Sequence, residues 1–232
     1  VLTVKPNDLL DYAAGENPSI AAITYTFGFV DSAKDVSGNS LTAFSSSFST
    51  LKVIVTSIYG AADLDGEVND AGAVDSVRNY FTVGDVGTGG GTFRGFVSFD
   101  LTSIPTGVVA DEARLIINKQ GITNNPYELS SVALDHVNYG ASLSGNDYDT
   151  PMLADLGVFD SSSAPVTGYG SSDVTSAVNA DLANRLDRGN RSQYRLRFPS
   201  LSNNGDSDFV SFTSSEGPSG QRPFLQVTYL IP

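Results

Sequence analysis

The sequence contains no cysteine and no tryptophan, and it has a single histidine among its 232 residues. Without cysteine the fold cannot rely on disulfides, and a thiol nucleophile or a thiolate metal site is excluded. His136 alone cannot build a metal centre that needs several imidazoles, and its place in an alternating apolar stretch favours a structural role. The absence of tryptophan removes the largest aromatic surface on which a sugar ring could stack.

Positive charge is scarce, with 13 basic against 26 acidic residues and a formal net charge of −13. Such a surface repels phosphate backbones and anionic lipid headgroups, so we expect no nucleic-acid partner. No apolar run is long enough to span a bilayer, and we expect no membrane insertion. The chain opens on Val1, as a mature form cut from a signal peptide would, and we expect a secreted, extracellular or cell-surface protein.

Motifs that would indicate an enzyme are also missing. There is no GxSxG, Walker or GxGxxG motif, and the GTGGG run at 87–91 lacks the lysine that phosphate binding needs. A pair of carboxylates could serve a glycoside hydrolase, but 26 acidic residues make some such pair inevitable. We therefore predict that the chain is not an enzyme.

Short strands dominate the pattern from about Lys52 onward. In FRGFVSFDL, the residues Val97, Phe99 and Leu101 fall on one face, as in a half-buried strand. The same alternation recurs in EARLIINKQ, QYRLRF, DFVSF and FLQVTYL, each bounded by turn residues. One segment, SSDVTSAVNADLANRLDRGN, instead predicts a helix of about three turns, with Asp173 as N-cap and Gly189 as the stop.

The first fifty residues differ from the rest, and we predict an N-terminal extension at 1–50 before a β domain at 51–232. One face of a strand in the extension is apolar, formed by Ile23, Tyr25, Phe27 and Phe29. A serine-rich stretch follows, which resembles a linker. The apolar face must be buried, either as an added strand on its own domain or against the sheet edge of a neighbouring copy.

The stretch GAADLDGEVNDAGAVD concentrates acidic residues at one point of the chain. It is not an EF-hand, because Ala61 and Gly72 occupy the first and twelfth loop positions. If the segment is extended, three carboxylates share one face and a fourth is close, which predicts a calcium site. The predicted ligands are Asp63, Asp65, Glu67 and Asp70. A solvated loop and a rim that contacts sugar are the alternatives.

An ordered set of residues between about Lys52 and Leu230 resembles the DNRLRE domains, which are related to carbohydrate-binding modules of disaggregatase-type proteins. The motifs that carry the resemblance are DLDGEV, NYFTVG, FRGFVSFDLTSIPTG, EARLIIN, DVTSAVNADL, YRLRF and VSFTSSEGPSGQRPFLQVTY. The matching positions are Asp63, Asn79, Arg94, Asp100, Leu115, Glu216, Arg222 and Pro223.

The resemblance implies an all-β, jelly-roll-type antiparallel β-sandwich with one short helix and an N-terminal β extension. It carries over no catalytic residue, and it leaves Arg94 and Glu216 either as a structural ion pair or as ligand contacts. Our first hypothesis is a structural subunit that assembles with other copies of itself into a surface fibre or matrix by β-strand addition. The alternative is a carbohydrate-binding module that contacts polysaccharide through Tyr139, Tyr148 and Tyr169.

Overall fold

The computed structural model describes residues 23–30, 32–202 and 204–231, and it confirms the all-β prediction. Strands make up 48% of the chain, the sheets are antiparallel and curled, and the architecture is sandwich-like. The chain divides into two compact units, one of Val1–Val55 with Thr228–Pro232 and one of Thr56–Val227. No helix in the described ranges is long and apolar enough to cross a membrane.

The strands follow one another with short connections. Their bounds are β1 Thr24–Phe29, β2 Phe44–Ser49, β3 Lys52–Tyr59, β4 Gly66–Asn69, β5 Val74–Asp75, β6 Tyr80–Val86, β7 Thr92–Asp100, β8 Ala110–Thr123, β9 Val132–Val137, β10 Ala154–Asp160, β11 Gly168–Asp173, β12 Arg191–Arg197, β13 Ser207–Thr213 and β14 Phe224–Ile231. The helix α1 spans Thr175–Ala183, and short 3-10 turns occupy Ala62–Leu64, Leu101–Ser103 and Gly145–Asp149.

In the first unit, β1 and β2 form an antiparallel hairpin whose register runs from Thr24 opposite Ser49 to Phe29 opposite Phe44. The prediction that the serine-rich stretch is a linker is therefore wrong, since Phe44–Ser49 is a strand. Alternation still explains the hairpin, because the Tyr25 ring stacks on the Phe48 ring with centroids 5.7 Å apart. Residues 1–22, the rest of the extension, lie outside the described residues.

The large sheet has the neighbour order β10-β9-β12-β7-β6-β13-β8-β14-β3, with β11 beside β8, β4 beside β7 and β5 beside β4. It curls on itself, because Phe159 of β10 meets Phe212 of β13 with ring centroids 5.9 Å apart although these strands are far apart in the order. The core lies between the part of the sheet that contains β10 and the part that contains β13. Val97 and Phe99, which the sequence placed on one face of β7, are both fully buried.

The helix forms where it was predicted but is shorter, with nine residues or about two and a half turns. The N-cap residue is Val174 and not Asp173 as predicted, although the Asp173 carboxylate accepts a hydrogen bond from the Thr175 N–H at 2.9 Å. The Asn179 side chain fixes the helix to β8, donating to Ala110 O at 2.9 Å and accepting from Ala110 N at 2.7 Å. Leu186, beyond the helix, is 93% exposed and adds nothing to the core.

Several buried charges are paired across strands. Asp135 of β9 accepts hydrogen bonds from Arg195 and Arg197 of β12. Lys119 of β8 contacts both carboxylate oxygens of Asp160 on β10, at 2.8 and 2.9 Å. The pairs satisfy groups that would otherwise be expensive to bury.

His136 also lies in the interior, only 2% exposed. Its Nε2 is 3.0 Å from both carboxylate oxygens of Asp181, and its ring lies against Tyr194 with centroids 5.9 Å apart. This imidazole is enclosed and bonded, which fits the structural role favoured from the sequence.

Candidate functional site

The four acidic residues predicted to bind calcium do not come together. Asp63 lies exposed in the 3-10 turn Ala62–Leu64, so the segment is not extended as the prediction required. Asp65 and Glu67 are buried, and Asp70 is exposed at the far end of β4. Among the described residues, no three side chains of His, Cys, Asp or Glu form a group able to hold a metal ion.

Glu67 forms a hydrogen bond and an ion pair with residues near β6. Its Oε2 accepts a hydrogen bond from the Thr82 N–H at 2.5 Å, and its Oε1 lies 3.5 Å from Arg78 Nη1. Desolvation raises the pKa of Glu67 above its ordinary value, although the Thr82 and Arg78 contacts act in the opposite direction. Glu67 thus links β4 to β6.

The three tyrosines proposed from the sequence to contact sugar lie in different environments. Tyr139 is 8% exposed, its ring packs edge-on against Phe96, and its hydroxyl donates to Leu64 O at 2.7 Å. It is a core residue, and burial raises its pKa well above the ordinary value. The proposal of Tyr139 as a sugar contact is therefore incompatible with its position.

Tyr148 is partly buried beneath the guanidinium of Arg94, which lies 3.8 Å from the ring centroid. Arg94 also donates to Asp149 Oδ1 at 2.9 Å, so its ion pair is with Asp149 and not with Glu216. Tyr169 is 53% exposed on β11, and its hydroxyl donates to Gly220 O. The described structure therefore gives these three tyrosines no common surface.

A different set of aromatic residues does share a surface, which we call the aromatic groove. It has a volume of about 410 Å³ and lies across β4, β6, β7, β8 and β13. Three partly exposed aromatic rings and several polar side chains line it. They are Glu67, Arg78, Tyr80, Thr82, Val86, Phe93, Gln120, Phe209 and Ser211.

Strand alternation explains why these residues face the groove. On β6, Phe81 and Val83 are fully buried in the core, so Tyr80 and Thr82 point the other way. On β13, Val210 and Phe212 are buried while Phe209 is only partly covered. The groove is therefore the outer face of the strands whose inner face forms the core.

The polar groups of the aromatic groove are held in place by bonds to one another and to the backbone. The Arg78 guanidinium lies 5.8 Å from the Tyr80 ring centroid, and its Nε is 2.8 Å from Asp75 Oδ2. The Gln120 amide donates to Thr213 Oγ1 at 3.2 Å. A ligand here would meet flat apolar rings beside fixed donors and acceptors, which is the composition of small-molecule sites.

A second groove, of about 560 Å³, follows the glycine-rich loop at 87–91. Its polar lining includes Asp70, Asp85 and Thr92, and none of its described lining residues is basic or aromatic. The Asp85 carboxylate accepts from the Gly87 N–H at 2.9 Å and so stabilises the loop itself. This groove lacks both the cation that a phosphate needs and the ring that a sugar would stack on.

Comparison with known proteins adds no family. No protein-family model matches the chain, and no curated protein is significantly similar to it. The resemblance to DNRLRE domains therefore rests on the ordered residues of the sequence alone.

Proposed function

We propose that the chain is a non-catalytic extracellular module that binds carbohydrate in the aromatic groove. The observation that supports this is the gathering of Tyr80, Phe93 and Phe209 on one outer sheet face, beside the fixed side chains of Arg78 and Gln120. A pyranose ring presents an apolar face and a rim of hydroxyls. Aromatic rings contact the first, and amide, guanidinium and hydroxyl groups hydrogen-bond the second.

The charges favour an uncharged glycan. The net charge of −13 repels polyanions, and Arg78, the one cation that lines the aromatic groove among the described residues, is already paired with Asp75 and Glu67. Glu67 is also the only carboxylate among those lining residues, whereas glycoside hydrolysis commonly needs two. We therefore infer binding of a neutral polysaccharide without cleavage. The resemblance to accessory carbohydrate-binding modules agrees with this inference.

A glycan array, followed by isothermal titration with the best ligand, tests the proposal. We expect Phe93→Ala and Phe209→Ala each to weaken binding at least about tenfold, because truncated anchor residues of an interface cost more than 1 kcal/mol. The control is Tyr59→Ala, since Tyr59 is 57% exposed and does not line the groove. Failure to bind any glycan, or equal binding by the groove variants and the control, would show the proposal to be wrong.

The hairpin supports assembly with a second copy as a second candidate function. Phe44 and Phe48 are large apolar side chains of the six-residue strand β2, and each is 50% exposed. Ile23, just before β1, is 37% exposed, and Tyr25 and Phe27 pack against the two phenylalanines. The two phenylalanine rings are half-exposed, and pairing with another copy would cover them.

Electron microscopy and light scattering of the full chain test this second candidate. We expect concentration-dependent oligomers that are lost in Phe48→Ser and kept in the control Val36→Ser, where a fully exposed side chain outside both strands is changed. A full chain that stays monomeric at high concentration, with and without calcium, rules assembly out.

A further inference from the structure

Among the described residues, three buried side-chain oxygen atoms of the larger unit have no hydrogen-bond partner. They are Asp65 Oδ1, Ser215 Oγ and Glu216 Oε2. Asp65 is fully buried and Ser215 is 3% exposed, so water does not reach them freely. Buried polar atoms almost always have a hydrogen-bond or metal partner. Three neighbouring buried oxygens without one therefore indicate that a bound partner is missing.

The backbone brings these residues together from distant parts of the chain. Asp65 lies between the 3-10 turn Ala62–Leu64 and β4, whereas Ser215 and Glu216 follow β13. The Ser215 N–H donates to Asp65 Oδ2 at 2.5 Å across 150 residues of sequence. Gly60 closes one side, because a Cβ atom there would lie 2.3 Å from Ser215 Oγ.

The electrostatics of this cluster are unfavourable as it stands. The Asp65 carboxylate is fully buried beside the Glu216 carboxylate, and its Oδ2 accepts a hydrogen bond from the Ser215 N–H. Neither carboxylate takes part in any ion pair among the described residues. Two carboxylates in contact inside a protein need a positive partner or a shared proton.

We propose that Asp65, Ser215 and Glu216 bind one calcium ion. All three donors are oxygens, which hard divalent cations prefer, and calcium accepts a mixture of carboxylate, hydroxyl, carbonyl and water ligands. One divalent ion would balance the two carboxylates and give the three orphan oxygens a partner.

This site differs from the one that the acidic stretch suggested. Of the four residues proposed from sequence, only Asp65 belongs to it, and the other two ligands come from the turn after β13. Asp63 and Asp70 are exposed, and they serve as matched controls. The site also stands apart from the aromatic groove, since none of its three residues lines that groove.

The test compares melting temperatures and calcium titrations of the full chain after dialysis against EDTA. We expect calcium to raise the melting temperature of the wild-type chain in a dose-dependent way, because a ligand bound only to the folded state stabilises it. Asp65→Asn and Glu216→Gln should weaken calcium binding at least about tenfold, since affinity follows ligand charge. Asp63→Asn and Asp70→Asn should bind as the wild type does.

Weaker calcium binding by these variants can be distinguished from a loss of folding by their melting temperatures without calcium. Without calcium, Asp65→Asn should melt at or above the temperature of the wild type, because it removes one of two contacting buried charges and can keep the bond from the Ser215 N–H. With calcium the order should reverse. If calcium and EDTA leave the wild-type melting temperature unchanged, the carboxylates share a proton and the proposal is wrong, and equal calcium responses in all four variants would also overturn it.

Discussion

Arg195 donates two hydrogen bonds to Asp135 Oδ2, from Nε at 2.9 Å and from Nη2 at 2.7 Å, across the β12–β9 pairing. Arg197 adds a third contact to the same oxygen from Nε at 2.7 Å. Asp135 is fully buried and the Arg195 side chain is 6% exposed, so each depends on the other for its solvation.

Removing Asp135 should therefore destabilise the fold strongly. We expect Asp135→Ala to lower the free energy of unfolding by about 3–5 kcal/mol, because it leaves a buried guanidinium without its anion. Urea unfolding measures this change. Glu112→Ala, which breaks the exposed Arg114 pair, is the control and should cost about 0–1 kcal/mol. Similar losses in both variants would contradict the assignment of Asp135 as a buried structural anion.

Phe212 should be a main contributor to the core that holds the two curled parts of the sheet together. It is 1% exposed and contacts Phe81 and Phe159, with centroid distances of 5.7 and 5.9 Å. We expect Phe212→Ala to cost about 3–5 kcal/mol of unfolding free energy. Leu186→Ala, at an exposed position, should stay within about 0.5 kcal/mol in the same denaturant titration.

Two glycines of the large sheet should respond differently to an added methyl group. A Cβ atom on Gly95 of β7 would lie 2.4 Å from the Phe81 ring, whereas one on Gly121 of β8 would meet nothing within 4 Å. We expect Gly95→Ala to cost about 1–3 kcal/mol through overpacking. Gly121→Ala should be neutral or slightly stabilising, because it restricts the unfolded chain. Thermal unfolding separates the two, and equal melting temperatures would contradict the close approach at Gly95.

Asp208 should make the fold sensitive to acid. Desolvation acts to raise the pKa of Asp208, but hydrogen bonds from the Asn125 N–H, Ser202 and Asn204 outweigh it and hold the pKa below the ordinary value. The unfolded chain then binds the proton more readily than the folded one, so this stabilisation is present above a pH of about 4 and is lost as the pH falls further.

Urea titrations between pH 7 and pH 3 measure the effect of Asp208. We expect Asp208→Asn to be less stable than the wild type near neutrality and to approach it as the pH falls. The control is Asp187→Asn, which makes the same substitution at an exposed position. A wild-type advantage over Asp208→Asn that grows in acid would reverse the predicted sign.

Local patterns were enough to predict some of the strands. Alternation identified β7, β8, β12, β13 and β14, because each has one face in the core. The β2 strand was missed, since FSSSFS has little local preference for a strand and forms one through its pairing with β1. The sites were harder to predict because the aromatic groove combines residues from five strands, and Ser215 reaches Asp65 across 150 residues of sequence.

That separation also governs how the chain folds. The contact between the Asp65 carboxylate and the Ser215 N–H spans 150 residues, and the Ser214 hydroxyl reaches Arg78 O across 136 residues. Such contacts form only after a large loss of chain entropy, so we expect folding to be slow. We also expect these contacts to form only after the last strands have been synthesised. During translation, the partners of the early residues are still missing, so the nascent chain cannot complete these contacts until the residues after β13 have left the ribosome.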